Sequence, residues 1–245
     1  MEWWEAVLLV LGGMTAGVIN TMAGGGSTLT VPLLTLAGVP GNAANGSNRV
    51  GILTSNLAAA ARFRQLGVDG LSHVAPVLGP ALLGSLIGSY GINQLTDDTF
   101  EKVFGLLMIP LILMTIFKPK PKEAAATWPV WVTALVFLAV GMYGGAIQAG
   151  VGLVLLAALS RAGFDLVTAN SIKVLVTLAI TCVALPVFIW QGNVRWLAAA
   201  ILAVGLTIGG WVGARFTVEG GEKWVRIVAV VAALGLAGKL LGLWG

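Results

Sequence analysis

Apolar runs interrupted by glycine, proline and isolated charges divide this chain into ten hydrophobic segments. Five lie at about 5–22, 27–38, 43–62, 71–93 and 101–117, and five more at about 129–147, 150–162, 167–190, 195–215 and 223–243. The second of each set is too short. At roughly 12 residues and 1.5 Å per residue it reaches about 18 Å, against a hydrocarbon core of roughly 30 Å. Each short segment is flanked by unusual sequence. Asn20-Thr-Met-Ala-Gly24-Gly25-Gly26-Ser27 precedes the first, and Ala44-Asn45-Gly46-Ser47-Asn48-Arg49 follows it. Gln148-Ala-Gly150-Val-Gly152 precedes the second, and Ala169-Asn170-Ser171-Ile-Lys173 follows it. Glycine-rich breaks and amide, hydroxyl and cationic side chains therefore sit amid very apolar sequence. Backbone freed at such a break must be satisfied by protein or a lined cavity, not by lipid. The pattern predicts an all-α polytopic membrane protein of about 8–10 segments, whose short pieces are re-entrant arms or halves of broken helices.

The two sets repeat one another. Gly13-Met-Thr-Ala-Gly17-Val-Ile-Asn20 aligns with Gly141-Met-Tyr-Gly-Gly145-Ala-Ile-Gln148, Gly38 with Gly163, and Ala44-Asn45 with Ala169-Asn170. Gly84 and Gly88 align with Gly209 and Gly213, and Glu101-Lys102 with Glu222-Lys223. Residues 1–117 thus form an N-terminal repeat and 128–245 a C-terminal one. The charged, proline-punctuated stretch 118–127 is a linker between them, expected to be cytoplasmic. Lysine and arginine near segment ends set the orientation. The linker lysines, Arg62, Arg64 and Arg161 fall inside, and Asp97, Asp98, Glu101 and the Gln191-Gly-Asn193 loop outside, provided each short segment returns to its side of entry. Equivalent loops then land on opposite faces, which makes the halves inverted repeats.

Composition narrows the classes. Of 245 residues, 58% are hydrophobic and 10% charged, too few charges for a water-facing surface. The basic residues stand singly at segment ends, which argues against nucleic acid as a partner and for the bilayer. The start, Met1-Glu-Trp-Trp-Glu, lacks the positive region of a cleavable signal peptide, so insertion through the first helix is expected. Cys182 is alone and reads as a packing residue. No metal-ligand spacing, nucleophile–base pair or Walker A sequence is present, so neither enzyme, metal nor cofactor is expected. All ten acids fall at termini or in loops, and His73 reads as a helix-end residue.

What remains is chemistry for a small anion. Helix N-termini after Gly24-Gly25-Gly26 and Gly150-Val-Gly152 present free N–H groups and the positive end of the helix dipole. Arg49 and Lys173, opening the third segment of each half, supply charge that is costly near an apolar span unless it faces a cavity, a partner or the interface. The expected substrate-binding set is Arg49 and Lys173 for charge, with hydrogen bonds from Asn20, Ser27, Asn45, Asn48, Gln148, Asn170 and Ser171 and the N–H groups of Gly25, Gly26 and Gly152. The glycines at 84, 88, 209 and 213 read instead as close-packing positions.

The run Ala16-Gly17-Val-Ile-Asn20-Thr-Met-Ala-Gly24-Gly25-Gly26-Ser27, with Val31-Pro32, Gly46-Ser47-Asn48-Arg49, Gly141-Met-Tyr-Gly144-Gly145, Gly150-Val-Gly152 and Ala169-Asn170-Ser171-Ile-Lys173, resembles the signature of the TauE/SafE sulfite and organosulfonate exporter family. The resemblance covers nearly the whole chain. It implies a multi-pass inner-membrane permease for sulfite or sulfonates such as sulfoacetate, usually exporting. Family members often carry Lys at the position of Arg49 and Pro-Gly-Thr-Gly at Ala149–Gly152; the second departure removes a hydroxyl. The expected activity is secondary transport by alternating access at a midplane site between the repeats. A passive anion channel, or a carrier of another small metabolite, uses the same residues and stays open, as does assembly into a homo-oligomer.

Overall fold

The computed structural model describes residues 2–116, 129–161 and 163–220. The linker 118–127 and the last hydrophobic segment, 223–243, lie outside the described residues, as do the repeat matches at Glu222 and Lys223. The described chain is helical: α1 (Trp3–Ala23), α2 (Ser27–Leu36), α3 (Gly41–Gln65), a 3-10 turn (Leu71–His73), α4 (Ala75–Ile92), α5 (Asp97–Ile116), α6 (Val130–Ala146), α7 (Val151–Arg161), α8 (Leu166–Trp190) and α9 (Trp196–Val218). Each matches one predicted segment to within a few residues. Among the described residues, α1, α8 and α9 are long and apolar enough to cross a membrane on length and composition alone.

The breaks at 24–26 and 147–150 have local causes. Gly24 ends α1 with φ 84°, and its N–H closes on the carbonyls of Ile19 and Asn20, a left-handed cap open to glycine. Three residues later α2 starts and doubles back. A Cβ on Gly26 would strike the carbonyl of Ala16 and the Cβ of Asn20, while one on Gly12, a turn earlier in α1, would meet Leu33 of α2. The first short segment is therefore the return arm of a hairpin. In the second half the equivalent turn uses Gln148, the only described non-glycine residue with positive φ, at 63°, followed by Gly150 at 72°.

Packing between the halves is reciprocal. α1 lies along α9, with Gly13 and Gly17 against the backbone at Leu202 and Leu206, and Gly205 and Gly209 against the carbonyls of Val10 and Met14. α6 lies along α4 in the same way, with Gly141 and Gly145 against the carbonyls of Ala81 and Ser85, and Gly84 and Gly88 against those of Leu138 and Met142. Exchanging the halves carries one interface onto the other and the central α3–α8 pair onto itself. Small residues let these backbones touch, as helix pairs in lipid require. Gly84, Gly88 and Gly209 have the close-packing role their spacing predicts.

Apolar side chains face outward, and a set of polar side chains is buried within the apolar core. Leu57, Leu83, Leu86, Leu135, Val204 and Ile208 are exposed, and Trp3, Trp4, Trp131, Trp190 and Trp196 are exposed near helix ends, where interfacial anchors belong. Asn45, Asn48, Arg49, Asn56, Asn170 and Lys173 are buried. Cys182 departs from its predicted packing role. It is exposed on α8, opposite the buried polar face.

Two predictions follow from these contacts. Gly88→Ala drives a methyl into the Met142 carbonyl and lowers stability by about 1–3 kcal/mol, whereas Gly91→Ala, with open space around it, is neutral or stabilising. Thermal unfolding in detergent compares the two, and equal midpoints would contradict the α4–α6 interface. Asp165 caps α8 through the Val167 and Thr168 amides at 2.9 and 3.0 Å. Hydrogen bonds from Thr168, side chain then amide, and from Val167 hold its carboxyl below the usual 3.8. Its contribution is complete above that value and fades as pH falls through the lower folded-state value. Asp165→Ala costs about 1 kcal/mol at neutral pH. The gap to wild type should narrow below pH 3.8.

Candidate functional site

The two helix breaks meet. A Cβ at Gly24 would collide with the backbone of Gly152, and one at Gly152 with that of Gly24. Each glycine stands at the break between a helix and the short helix that follows it, so the C-termini of α1 and α6 and the N-termini of α2 and α7 converge on one crossing. The C-terminal ends are negative and carry orphan carbonyls; the N-terminal ends are positive and carry orphan N–H groups.

The buried cations answer the carbonyls. Lys173 Nζ, on α8, donates to Asn20 O at 2.7 Å, Thr21 O at 2.5 Å and Asn170 Oδ1 at 2.8 Å. Arg49, on α3, donates through one terminal nitrogen to Gly144 O at 3.1 Å and Gln148 Oε1 at 2.9 Å, and through the other to Gly145 O at 2.5 Å. Each half therefore clamps the end of the other half's first helix with a cation from its own third helix. The clamps differ by one turn in depth. Aligning Asn45 with Asn170 pairs Lys173 with Asn48, one position before Arg49, and Arg49 reaches carbonyls a turn further from the break. Phe188 of α8 also lies 4.4 Å from the Arg49 guanidinium carbon, a cation–π contact. Among the described residues the only acid–base ion pair is Arg215 with Glu219, on the surface. No carboxylate neutralises either buried cation there.

The remaining expected residues gather around this crossing in different ways. Asn45 Nδ2 donates to Ala146 O at 2.7 Å, adding to the hold on α6. Gln148 bridges Arg49 to Thr181, its Nε2 donating to Thr181 Oγ1 at 2.8 Å. Asn170 uses Nδ2 on Leu166 O and Oδ1 on Lys173, so it positions the lysine. Asn48 Oδ1 accepts from Thr30 Oγ1 at 2.6 Å, while its Nδ2 is buried with no partner, as is Arg49 Nε. Asn20 is buried beside Gly26 through its Cβ, and Ser27 is buried in the first turn of α2. Gly25 is half-buried, and Gly26 and Gly152 are buried. Ser171 sits apart, its hydroxyl packed against Gly70 in the α3–α4 connection. His73 is exposed in that same connection, edge-on to Phe164, away from the crossing.

Thr30, Thr181, Tyr143 and Phe188 belong to the site and were not among the expected residues. Tyr143 donates its hydroxyl to Ala149 O within the second break. Its signal was available, since it stands inside the repeated Gly-Met-x-x-Gly motif. Thr30 and Thr181 look like ordinary helical threonines in sequence. Only tertiary pairing brings them to Asn48 and Gln148.

The arrangement suits an anion: two positive helix ends, two buried cations, unpartnered N–H donors at Asn48 and Arg49, and no facing acid among the described residues. Removing either clamp leaves buried carbonyls short of donors: Thr21 O, Gly144 O and Gly145 O lose their cation, while Asn20 O keeps the Gly24 N–H. Lys173→Gln and Arg49→Gln are each expected to lose roughly 3 kcal/mol or more of stability. Thermal unfolding of the two variants checks this, and wild-type midpoints would show that the carbonyls find other partners.

Comparison with known proteins places the chain in a family. A family model described as sulfite exporter TauE/SafE matches residues 9–240. The probable membrane transporter protein ORF9 of Sinorhizobium sp is 26% identical over 238 residues, covering 95% of this chain and 91% of the relative. The probable membrane transporter protein YfcA of Escherichia coli K12 is 27% identical over 232 residues, covering 93% and 86%. A probable membrane transporter protein of Haemophilus influenzae is 24% identical over 234 residues, covering 94% and 91%. No solved structure matches the chain.

Proposed function

Since the chain belongs to the TauE/SafE family of membrane transporters, we propose that it is a secondary transporter of a small oxyanion, sulfite or an organosulfonate such as sulfoacetate, working as an exporter in the inner membrane. The observation that carries this reading is the crossing itself, where Arg49, Lys173 and the N-termini of α2 and α7 concentrate positive charge with no facing acid among the described residues. An anion entering there gains from both helix ends and finds unpaired donors at Asn48 and Arg49.

The same reading gives the transport cycle. The halves are inverted repeats, and their exchange relates the two clamps. An anion drawn to a cation competes with the carbonyls that the cation holds, so binding loosens the end of α1 or α6 and shifts the balance between conformations. Movement of one half against the other along the glycine-lined α1–α9 and α4–α6 interfaces then exposes the crossing to alternate sides. On this reading the protein is a permease whose residues bind the anion and release it unchanged.

The test is thermal stabilisation of purified protein by sulfite, sulfoacetate, taurine, sulfate, acetate and chloride. A ligand binding only the folded state raises apparent stability with its concentration. The most informative variant is Asn48→Asp, which keeps an acceptor for Thr30 and replaces the free amide by negative charge. Sulfite or a sulfonate should stabilise wild type and fail to stabilise Asn48→Asp. No response to any anion, or an equal response in the variant, would contradict the reading.

A further inference from the structure

Lys173 and Arg49 spend most of their donors on helix carbonyls, so the crossing needs other groups to recognise an anion's oxygens. Among the buried groups outside the residues expected from the sequence that have no partner, which include Thr21 Oγ1 and Ser55 Oγ, two are Thr177 Oγ1, in a residue 5% exposed, and Asn56 Nδ2, in a residue 1% exposed. Both stand on the helix faces that carry the clamps. On α8, Asn170, Lys173, Thr177 and Thr181 recur at steps of three and four, so they line one stripe. Thr177 lies one turn from Lys173 and one turn from Thr181, which receives Gln148 and through it Arg49. The stripe thus runs from one cation to the other, and Thr177 is its unpartnered member.

Asn56 lies on the corresponding face of α3, at the position that aligns with Thr181. Asn45, Arg49, Ile52 and Asn56 follow the same spacing. α3 and α8 pack antiparallel, since Gly46 lies against Phe188 and Phe63 clusters with Val174. Counting inward from both contacts brings Asn56 level with residues 178–181 of α8. The α9-facing side of α3 is different: Thr54 bonds Thr207, and Ser55 packs against Gly210. Asn56 and Thr177 therefore face inward, at one depth, from the two helices at the centre of the molecule.

The geometry points to Asn56 and Thr177 as further substrate-binding residues that receive the anion's oxygens between α3 and α8, beside the charge supplied by the two cations. This rests on the anion-transport reading above. A neutral amide and a hydroxyl recognise oxygens by hydrogen-bond geometry, so they select a multi-oxygen anion over chloride, whereas the cations attract either.

The test titrates sulfite and chloride against thermal stability and initial flux in proteoliposomes, using Asn56→Ala, Thr177→Val, Thr177→Ser and Ser55→Ala. Asn56→Ala and Thr177→Val should weaken sulfite binding about tenfold or more. Thr177→Ser should restore it, Ser55→Ala should leave it unchanged, and the preference for sulfite over chloride should shrink in the first two variants. A wild type indifferent to every anion would sink the transport reading itself. A responsive wild type with unaltered affinity in Asn56→Ala and Thr177→Val, even if both are less stable, would overturn this inference alone and leave the two groups to buried water.

Discussion

A cation buried without an acid must be satisfied by dipoles, and here the dipoles are helix ends. Stopping α1 and α6 inside the protein exposes carbonyls that neither lipid nor water can take. Lys173 and Arg49 take them, each from the opposite half. Cation and carbonyl are both costly alone in a low-dielectric interior. Paired, they fix where the two helices end, and so where α2 and α7 begin. The hairpin of α1 and α2, the contact of Gly24 with Gly152, and the convergence of four helix ends all depend on this exchange.

That dependence links stability to transport. In a preformed anion site the cations would simply wait for substrate. Here they already hold the scaffold, so under the proposed function an anion would be in competition with the backbone. Such competition provides the differential interaction that a ligand needs to move a conformational equilibrium. The glycine-to-carbonyl interfaces of α1 with α9 and α4 with α6 bring backbone against backbone along their contact lines. They are surfaces along which one half can slide on the other.

Much of the architecture was legible in the sequence because it follows from one-dimensional pattern. Segment ends coincide with glycine, proline and charge. The short segments announced themselves by length. Their geometry did not, since hairpin and spanning pair have the same hydropathy; Leu33 beside Gly12 distinguishes them. Arg49 and Lys173 stood out as intramembrane cations, but sequence cannot say whether a cation faces a ligand or a carbonyl. It also misplaced Ser171, whose neighbours in sequence share the site while its own hydroxyl turns to Gly70. Thr177 and Asn56 gave no signal, because a threonine on a helix usually bonds its own backbone. Only the pairing of α3 with α8 reveals two groups without partners.

Counterflow in proteoliposomes tests the central claim most directly. Vesicles carrying the purified protein and loaded with unlabelled sulfite are diluted into a trace of radiolabelled sulfite, and uptake is followed against empty vesicles. The account predicts transient accumulation of label above equilibrium, saturating with internal sulfite and abolished by Asn48→Asp. Uptake no greater than in empty vesicles, or unsaturable flux that only equilibrates the label, would contradict an alternating-access anion site at the crossing of the two breaks.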